Sequence, residues 1–575
     1  MKLRAWIASR FGAPGADAPR DSAAKLCFLG EAACDAGRTG EAIDLIERAI
    51  RLDGDVARYH YKLGVALQSA GELERARASY LQAIALDGAD GKAWNNLGAV
   101  AHAQGRLDAA IESYDRALAL QPDLVEAARN LGIAWSEAGD AVRAEHFSRL
   151  ALGLDPRSAD LRLHLARVLR HAGRLQEALD WCREATALDP GSASARFELG
   201  RALKELGRWD EAVAALRRGI ALQPQSVEAA EAWVSLGAIH DLTGESGGIE
   251  ESRRALEIQP DSALVRYNHG LHLLLLGDYA KGWAEYEWRW RLPEVAPELV
   301  PRRQHPHWDG GALSGESILL YAEQGYGDAI QFFRYAPLVA QRGARVFVYC
   351  SSKLAQLFRN TPGIDAVVDD FLPPPPAQLY CSLLSLPGIF GTTVDTVPAE
   401  VPYLFCNPES GERWRARLAR RPARLKVGLC WATDSRSRNA ALRSLELETL
   451  APLGGIRGIE FYSLQRGEAA AQAARPPCGM ELVDLAGELR DFADDAALIA
   501  ALDLVISIDT ATAHLAGALG KPVWTVTSFP PDWRWLLRRE DTPWYPTMRL
   551  FRQQRMRDWS GVARRLADAL AERVA

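Results

Sequence analysis

The sequence lacks several things, and each absence narrows what it can be. Its eight cysteines (Cys27, Cys34, Cys182, Cys350, Cys381, Cys406, Cys430 and Cys478) include no C-x-x-C pair, which argues against a structural zinc site or a disulfide framework and fits a reducing cytosol. Neither charge is in large excess: 68 Lys and Arg against 74 Asp and Glu leave a net of −6, so there is no electrostatic footprint for nucleic acid. No apolar run is long enough to span a bilayer, and the run within Met1 to Arg10 is too short for a signal peptide. A soluble, cytoplasmic protein without membrane insertion is expected. No Asp-x-Asp pair stands at a strand end near the loops described below, so no catalytic metal is expected. What is present is length: 575 residues give room for three or four domains. Residues 1–22 read as a flexible N-terminal arm, rich in Gly, Ala, Pro and Asp after residue 11.

The first half repeats. Gly37, Gly71, Gly105, Gly139, Gly173 and Gly207 stand 34 residues apart, and Gly30, Gly64, Gly98, Gly132, Ala166 and Gly200 form a second series with the same period. Apolar residues keep helical spacing on both sides of each glycine turn, so each unit is a helical hairpin. Small residues such as Gly98, Ala110 and Ala117 let paired helices approach, and Pro122, Pro156, Pro190, Pro224 and Pro260 stop the second helix. The pattern resembles the tetratricopeptide repeat (TPR). About eight copies run over residues 23–296, the last two turning at Gly244 and Gly277. Such an α-solenoid carries a concave groove and implies a protein partner. Asn95, Asn96 and Asn130, on first helices, are candidate acceptor-binding residues because an amide side chain can grip a peptide main chain, although ordinary polar surface positions would look the same. Trp283, Tyr286, Trp288 and Trp290, on a helix from Tyr279 to Arg291, suit a cap that docks the solenoid onto the next domain.

The second half alternates strands and helices, the pattern of parallel α/β sheets. After a linker from Pro297 to Trp308, strands are predicted at Ile318–Tyr321, Arg345–Cys350, Ala366–Asp369 and Leu379–Leu383. A second alternation runs through Lys426–Trp431, Glu460–Leu464, Leu482–Leu485, Leu504–Ile508, Val523–Val526 and Met548–Arg552. Two Rossmann-like domains follow, 297–405 on the acceptor side and 406–557 on the nucleotide side, with a C-terminal helix at 558–575 expected to cross back onto the first sheet. Doubly wound sheets bind ligands beyond the carboxyl ends of their strands, so the loops 322–328 and 509–514 are expected to open into one cleft.

Gly327-Asp328 opening a helix in the first sheet, with Asp509-Thr510-Ala511-x-x-His514-Leu515-Ala516-Gly517 in the second, resembles the heptosyltransferase-type family nine of GT-B glycosyltransferases. The joined architecture, with Glu323-Gln324-Gly325-x-Gly327-Asp328 and Asp532-Trp533-Arg534-Trp535-Leu536-Leu537, is similar to bacterial TPR glycosyltransferases, among them flagellin glycosyltransferases. The resemblance covers nearly the whole chain from residue 23. It implies a TPR α-solenoid followed by an α/β GT-B fold and a metal-independent, inverting sugar transfer. The nucleotide-sugar is then a co-substrate and no resident cofactor is required.

Glycosyl transfer needs a base for the acceptor hydroxyl and a positive seat for the departing phosphate. Asp328 matches the family's proposed base, with Glu323 as rival, and Gly325 and Gly327 clear space beside it. A carboxylate at a helix start is also a good cap. The amides of Thr510, Ala511, Thr512 and Ala513, after Asp509, match the phosphate turn, and His514 either contacts phosphate or locks the helix. The family places a lysine on the donor phosphate near 433–445, where this chain has none, so Arg436, Arg438 or Arg443 would serve. Gln465, at a strand end, is placed to read base or ribose edges, and Asp491 reads as a cap with a donor contact. Trp533, Trp535, Trp544 and Tyr545 fit either a closing loop or core packing. The resulting expectation is a protein O-glycosyltransferase acting on Ser or Thr of an acceptor held by the repeats, flagellin being the acceptor type the resemblance implies. A scaffold with an inactive transferase half, and a transferase acting on lipopolysaccharide or another glycan, remain as alternatives.

Overall fold

The computed structural model describes residues 18–243, 248–292, 306–420, 425–433, 440–529 and 531–575. The arm before residue 18, the turn at Gly244, most of the 297–308 linker, and Arg436 and Arg438 lie outside them. The chain divides into two compact units, Met1–Pro224 and Gln225–Ala575.

Met1–Pro224 holds twelve described helices, from Ala18–Asp35 to Trp209–Leu222, paired as six hairpins. The two glycine series have different physical causes. The glycines at 37, 71, 105, 139, 173 and 207 all have φ between 72° and 80°, the left-handed conformation that ends a helix without the penalty a Cβ would bring. Around Gly71 the closing bonds run from its own N–H to Gln68 O at 3.0 Å and from Glu72 N–H to Leu67 O at 2.9 Å. The second series is about contact: a Cβ on Gly64 or Gly98 would stand 2.6 Å from the ring of Tyr80 or Tyr114 on the paired helix.

Gln225–Ala575 begins with two further hairpins, built from Val227–Thr243, Gly248–Ile258, Ala263–Leu275 and Tyr279–Tyr286, the last continued by a 3-10 turn at Glu287–Arg291. Their end is fastened by aromatics. Trp283 donates to Thr392 O at 2.9 Å and meets the Trp533 ring at 5.4 Å, while Trp544 donates to Tyr279 Oη at 3.2 Å. These contacts place the compact-unit division at Pro224, inside the repeats rather than at residue 296.

The first sheet comprises β1 (Ser317–Tyr321), β2 (Arg345–Cys350), β3 (Ala366–Asp369) and β4 (Leu379–Ser382), all parallel in the order β3-β2-β1-β4. The second comprises β5 (Leu425–Cys430), β6 (Ile459–Ser463), β7 (Leu482–Asp484), β8 (Leu504–Ile508), β9 (Val523–Thr527) and β10 (Met548–Arg552), also parallel, in the order β10-β9-β8-β5-β6-β7. All five residues of β8 and of β9 are buried, as expected for central strands covered on both faces. The order reverses between β1 and β4 and between β5 and β8, and crevices form at such switch points. The C-terminal helix Trp559–Val574 does not cross back onto the first sheet. Its apolar stripe of Val562, Ala563, Leu566 and Leu570 packs into the core formed by Val427, Leu429, Phe461 and Ile506 of the second sheet. The aromatic cap of the repeats supplies the tie that this helix was expected to make.

Candidate functional site

Two strand-to-helix turns meet in the second unit. After β1 the chain passes Glu323 and Gly325 into the helix Tyr326–Phe332, with Asp328 as its third residue accepting the Gly325 N–H at 3.0 Å. After β8 it passes Asp509 and Thr510 into the helix Ala511–Ala518. The two helix starts approach so closely that a Cβ on Gly327 would lie 2.9 Å from His514 Cδ2 and 3.6 Å from the Ala511 backbone. Glycine at 327 is thus a packing requirement between the two sheets. Asp328, Arg443, Asp509, His514, Asp532 and Arg534 line a cavity of about 270 Å³ at this meeting point. It shares Tyr326, Thr433, Thr510 and Ala511 with an adjoining cavity of about 810 Å³ that extends over the β5/β8 switch point to Gln465, Arg466 and Phe492. The larger space has the size of a nucleotide pocket.

Charge in the smaller cavity is arranged in opposed pairs. Arg534 is buried and spreads its guanidinium over three acceptors: Asp328 Oδ1, Asp532 Oδ1 at 2.8 Å and Gln331 Oε1 at 2.8 Å. Asp509 has Arg443 Nη1 3.8 Å from Oδ2 and His514 Nε2 3.8 Å from Oδ1. Burial, with Asp532 nearby, holds the Asp509 carboxyl above its ordinary value, at about 6, against the pull of Arg443. His514 is fixed on both sides, its Nδ1 2.9 Å from Tyr545 Oη and its ring stacked on Trp535 at 5.3 Å. Burial pushes the imidazole well below its ordinary value, so it is neutral. A neutral, locked ring orients the turn rather than offering charge to a phosphate.

The open turn at 510–513 is shorter than the sequence suggests. The amides of Ala513 and His514 already bond Thr510 O at 3.0 and 3.3 Å, leaving the Thr510, Ala511 and Thr512 amides at the open first turn. The Ala513 amide is therefore already engaged within the helix. Gln465 faces the larger cavity but has no amide capacity to spare. Its Oε1 accepts from Trp431 N and Ala432 N at 2.9 and 2.8 Å, and its Nε2 donates to Ala432 O and Arg466 O at 2.9 and 2.8 Å. It fixes the bend after β5 instead of reading a base. Asp491 caps the helix Phe492–Ala500 through Ala493 N and Asp494 N at 2.9 and 3.0 Å. Trp533, Trp535, Trp544 and Tyr545 are buried in the core.

Glu323 lies apart from Asp328. It sits at the β1/β4 switch point, 5 % exposed, with Oε1 receiving Arg289 Nη2 at 2.8 Å and the hydroxyl of Ser382. Arg289 is itself fully buried and also donates to Ser385 Oγ at 2.8 Å and Glu287 Oε1 at 2.5 Å. Desolvation pushes the Glu323 carboxyl up in spite of Arg289. It does not line the cavity that holds Asp328.

In Met1–Pro224 the three asparagines form a ladder. Asn130 donates to Asn95 Oδ1 at 2.9 Å, Asn95 to Asn96 Oδ1 at 3.2 Å, and Asn96 to the hydroxyls of Tyr61 and Tyr80 at 3.3 and 3.4 Å. With Glu126 and Arg129 they line a shallow concavity of about 530 Å³.

Comparison with known families matches tetratricopeptide repeat models at 29–91, 61–125, 103–151, 144–193 and 169–234, and the glycosyltransferase family 9 (heptosyltransferase) model at 459–530. Residues 29–234 thus match tetratricopeptide repeats and residues 459–530 match a family-nine glycosyltransferase model. It is 28% identical to Protein FlbA of Caulobacter vibrioides (strain ATCC 19089 / CIP 103742 / CB 15) over 367 residues, which is 56% of this chain and 57% of that one. The chain thus spans little more than half the length of this curated relative. Among solved structures, it is similar to Pseudomonas aeruginosa PilF (22% identity, TM-score 0.34, covering 37% of this chain and 97% of that one). It is also similar to YrrB, described as a TPR protein with an unusual peptide-binding site (25% identity, TM-score 0.28, covering 32% and 96%).

The glycosyltransferase match contains Asp509 to His514 but neither Asp328 nor Arg443, which join the site by geometry. Asp532 and Arg534 carried no assigned role in the sequence reading. The signal was the Asp-x-Arg spacing after β9, which puts a capping carboxylate two residues before the guanidinium it binds.

Proposed function

We propose that the chain transfers a sugar from a nucleotide-activated donor to a Ser or Thr hydroxyl of a protein held by its repeats. The observation that carries this reading is the convergence of Asp328, Arg443, Thr510 and Ala511 on one cavity that adjoins a larger space lined by Thr512 and Gln465. In this reading Asp328 accepts the hydroxyl proton, and the freed oxygen attacks the anomeric carbon from the face opposite the phosphate. The bond to the phosphate oxygen breaks and its electron pair leaves with the nucleotide, inverting the centre. The amides of Thr510 to Thr512 and the guanidinium of Arg443 neutralise the departing oxyanion without a metal ion. Arg534 aims the Asp328 carboxylate. The concavity that the three asparagines line with Glu126 and Arg129 supports a peptide acceptor, since it gathers polar groups of both kinds in the repeats. Flagellin is the acceptor type that the sequence resemblance suggests.

The test is the intact mass of proteins captured by the full chain from host cells with and without its gene. A captured protein heavier by whole sugar units only when the gene is present establishes the reading and identifies the acceptor. A captured protein of unchanged mass returns the chain to a scaffold, and transfer to isolated glycan with no captured protein returns it to a glycan transferase.

A further inference from the structure

A second concavity, of about 400 Å³, lies within Gln225–Ala575 behind the segment that joins β9 to β10. One wall is the end of the repeat helix Ala263–Leu275; the other is the stretch from Ser528 to Glu540 with the end of β10. Its apolar lining includes Leu275, Leu276, Phe529, Leu537 and Leu550. Leu276 and Leu537 are 53% and 39% exposed and add apolar surface at its mouth.

Four guanidinium groups, of Arg538, Arg539, Arg552 and Arg565, share this lining. The carboxylates nearest the opening are already matched. Asp241 pairs with His272 at 2.8 Å, Glu540 with Arg549 at 3.2 Å, and Asp541 with Arg539 at 2.6 Å. Among the described residues, Arg538, Arg552 and Arg565 have no carboxylate partner. Arg552 donates to the main-chain oxygens of Trp535 and Arg539, and Arg565 to those of Arg552 and Gly561. Burial and the neighbouring Arg539 push Arg552 down to about 10, against the pull of Asp541. Gln553, 3% exposed, also lines the cavity. Its Oε1 accepts Phe529 N at 3.0 Å, while its Nε2 donor has no partner.

The geometry points to a second ligand site here, for a small amphipathic anion: an apolar body ending in a carboxylate or phosphate group. The leucines and Phe529 take the body, and Arg538, Arg552, Arg565 and Gln553 Nε2 take the head. The site is wired to the transferase cavity by one continuous stretch of chain. Ser528 to Glu540 lines this concavity with Leu537, Arg538 and Arg539, and lines the other with Asp532 and Arg534. Between them Leu536 and Arg538 hold φ of 54° and 56°, a conformation that side-chain-bearing residues rarely adopt. An occupant that bears on Leu537 and Arg538 therefore acts on the guanidinium that aims Asp328.

The experiment is calorimetric titration of the full chain with n-octyl phosphate and with octanoate, against inorganic phosphate and n-octanol as head and tail alone. Saturable binding of one molecule of octyl phosphate or octanoate, with both halves at least about tenfold weaker, is expected, and the ranking of the two identifies the head group. Arg538→Ala, and separately Leu276→Asp, each weaken binding about tenfold while leaving the melting temperature unchanged. Arg538 and Leu276 are exposed, so these replacements leave the fold intact. Absence of saturable binding up to about 1 mM overturns the proposal, as does wild-type affinity in both variants or octanol binding as tightly as octyl phosphate.

Discussion

The turns at 322–328 and 509–514 begin alike, each at the carboxyl end of a central parallel strand that feeds a helix, yet they present opposite chemistry. The turn after β8 offers main-chain N–H groups and keeps its acid, Asp509, against Arg443 and His514. The turn after β1 offers a carboxylate, Asp328, whose orientation is set by Arg534 from the other sheet. Within that turn Glu323 and Asp328 divide again, one sealed against Arg289 and Ser382 and the other open to the cavity. Local backbone geometry makes a turn capable of holding charge. Which charge is free to act depends on the long-range partner each carboxylate meets.

Asp328→Asn tests this division most directly. It keeps an acceptor for the Gly325 N–H but cannot take a proton, so single-turnover transfer should fall by about 10²–10⁴ with donor affinity nearly unchanged. Undiminished transfer would reduce Asp328 to a helix cap. Glu323→Gln should show the converse, a loss of stability near 3 kcal/mol because Arg289 keeps only Glu287 as counter-charge. A denaturant melt reads that loss. Unchanged stability with abolished transfer would reverse the roles of the two acids.

Arg443→Ala should weaken donor binding about tenfold, the scale of one charge-assisted hydrogen bond. Equal affinity would leave the phosphate to the main chain alone. The smallest effect is on pH. Asp509 is charged above about 6 and neutral below it, and its negative charge stands beside the phosphate seat. Affinity for a nucleotide-diphosphate sugar, whose own phosphates do not titrate in this range, should therefore rise as pH falls from about 7.5 to about 5.5, as expected of a raised carboxyl. Asp509→Asn should bind with a flat profile, and a profile unchanged by that substitution would place the titrating group elsewhere.

The amino-acid sequence by itself determined the elements. The 34-residue glycine period follows from helix ends that need positive φ and helix pairs with no room for a Cβ, both local requirements written at fixed spacing. Central strands such as β8 and β9 form where short β-branched apolar runs stand between turn residues, because central parallel strands are buried on both faces. The tertiary structure alone decided which polar groups remain free. Gln465 and the Ala513 amide have the right chemistry at the right turns, yet each is consumed by a partner, the backbone at Trp431 and Ala432 and the oxygen of Thr510, while Glu323 lies outside the cavity with Oε1 held by Arg289. Arg534 reaches Asp328 across 206 positions of chain, and Trp559–Val574 stays on its own sheet because its apolar stripe finds its complement there. Hydrogen-bond capacity is finite and is allocated by distance in space. Spacing along the chain can propose a group for a task but cannot show what has already claimed it.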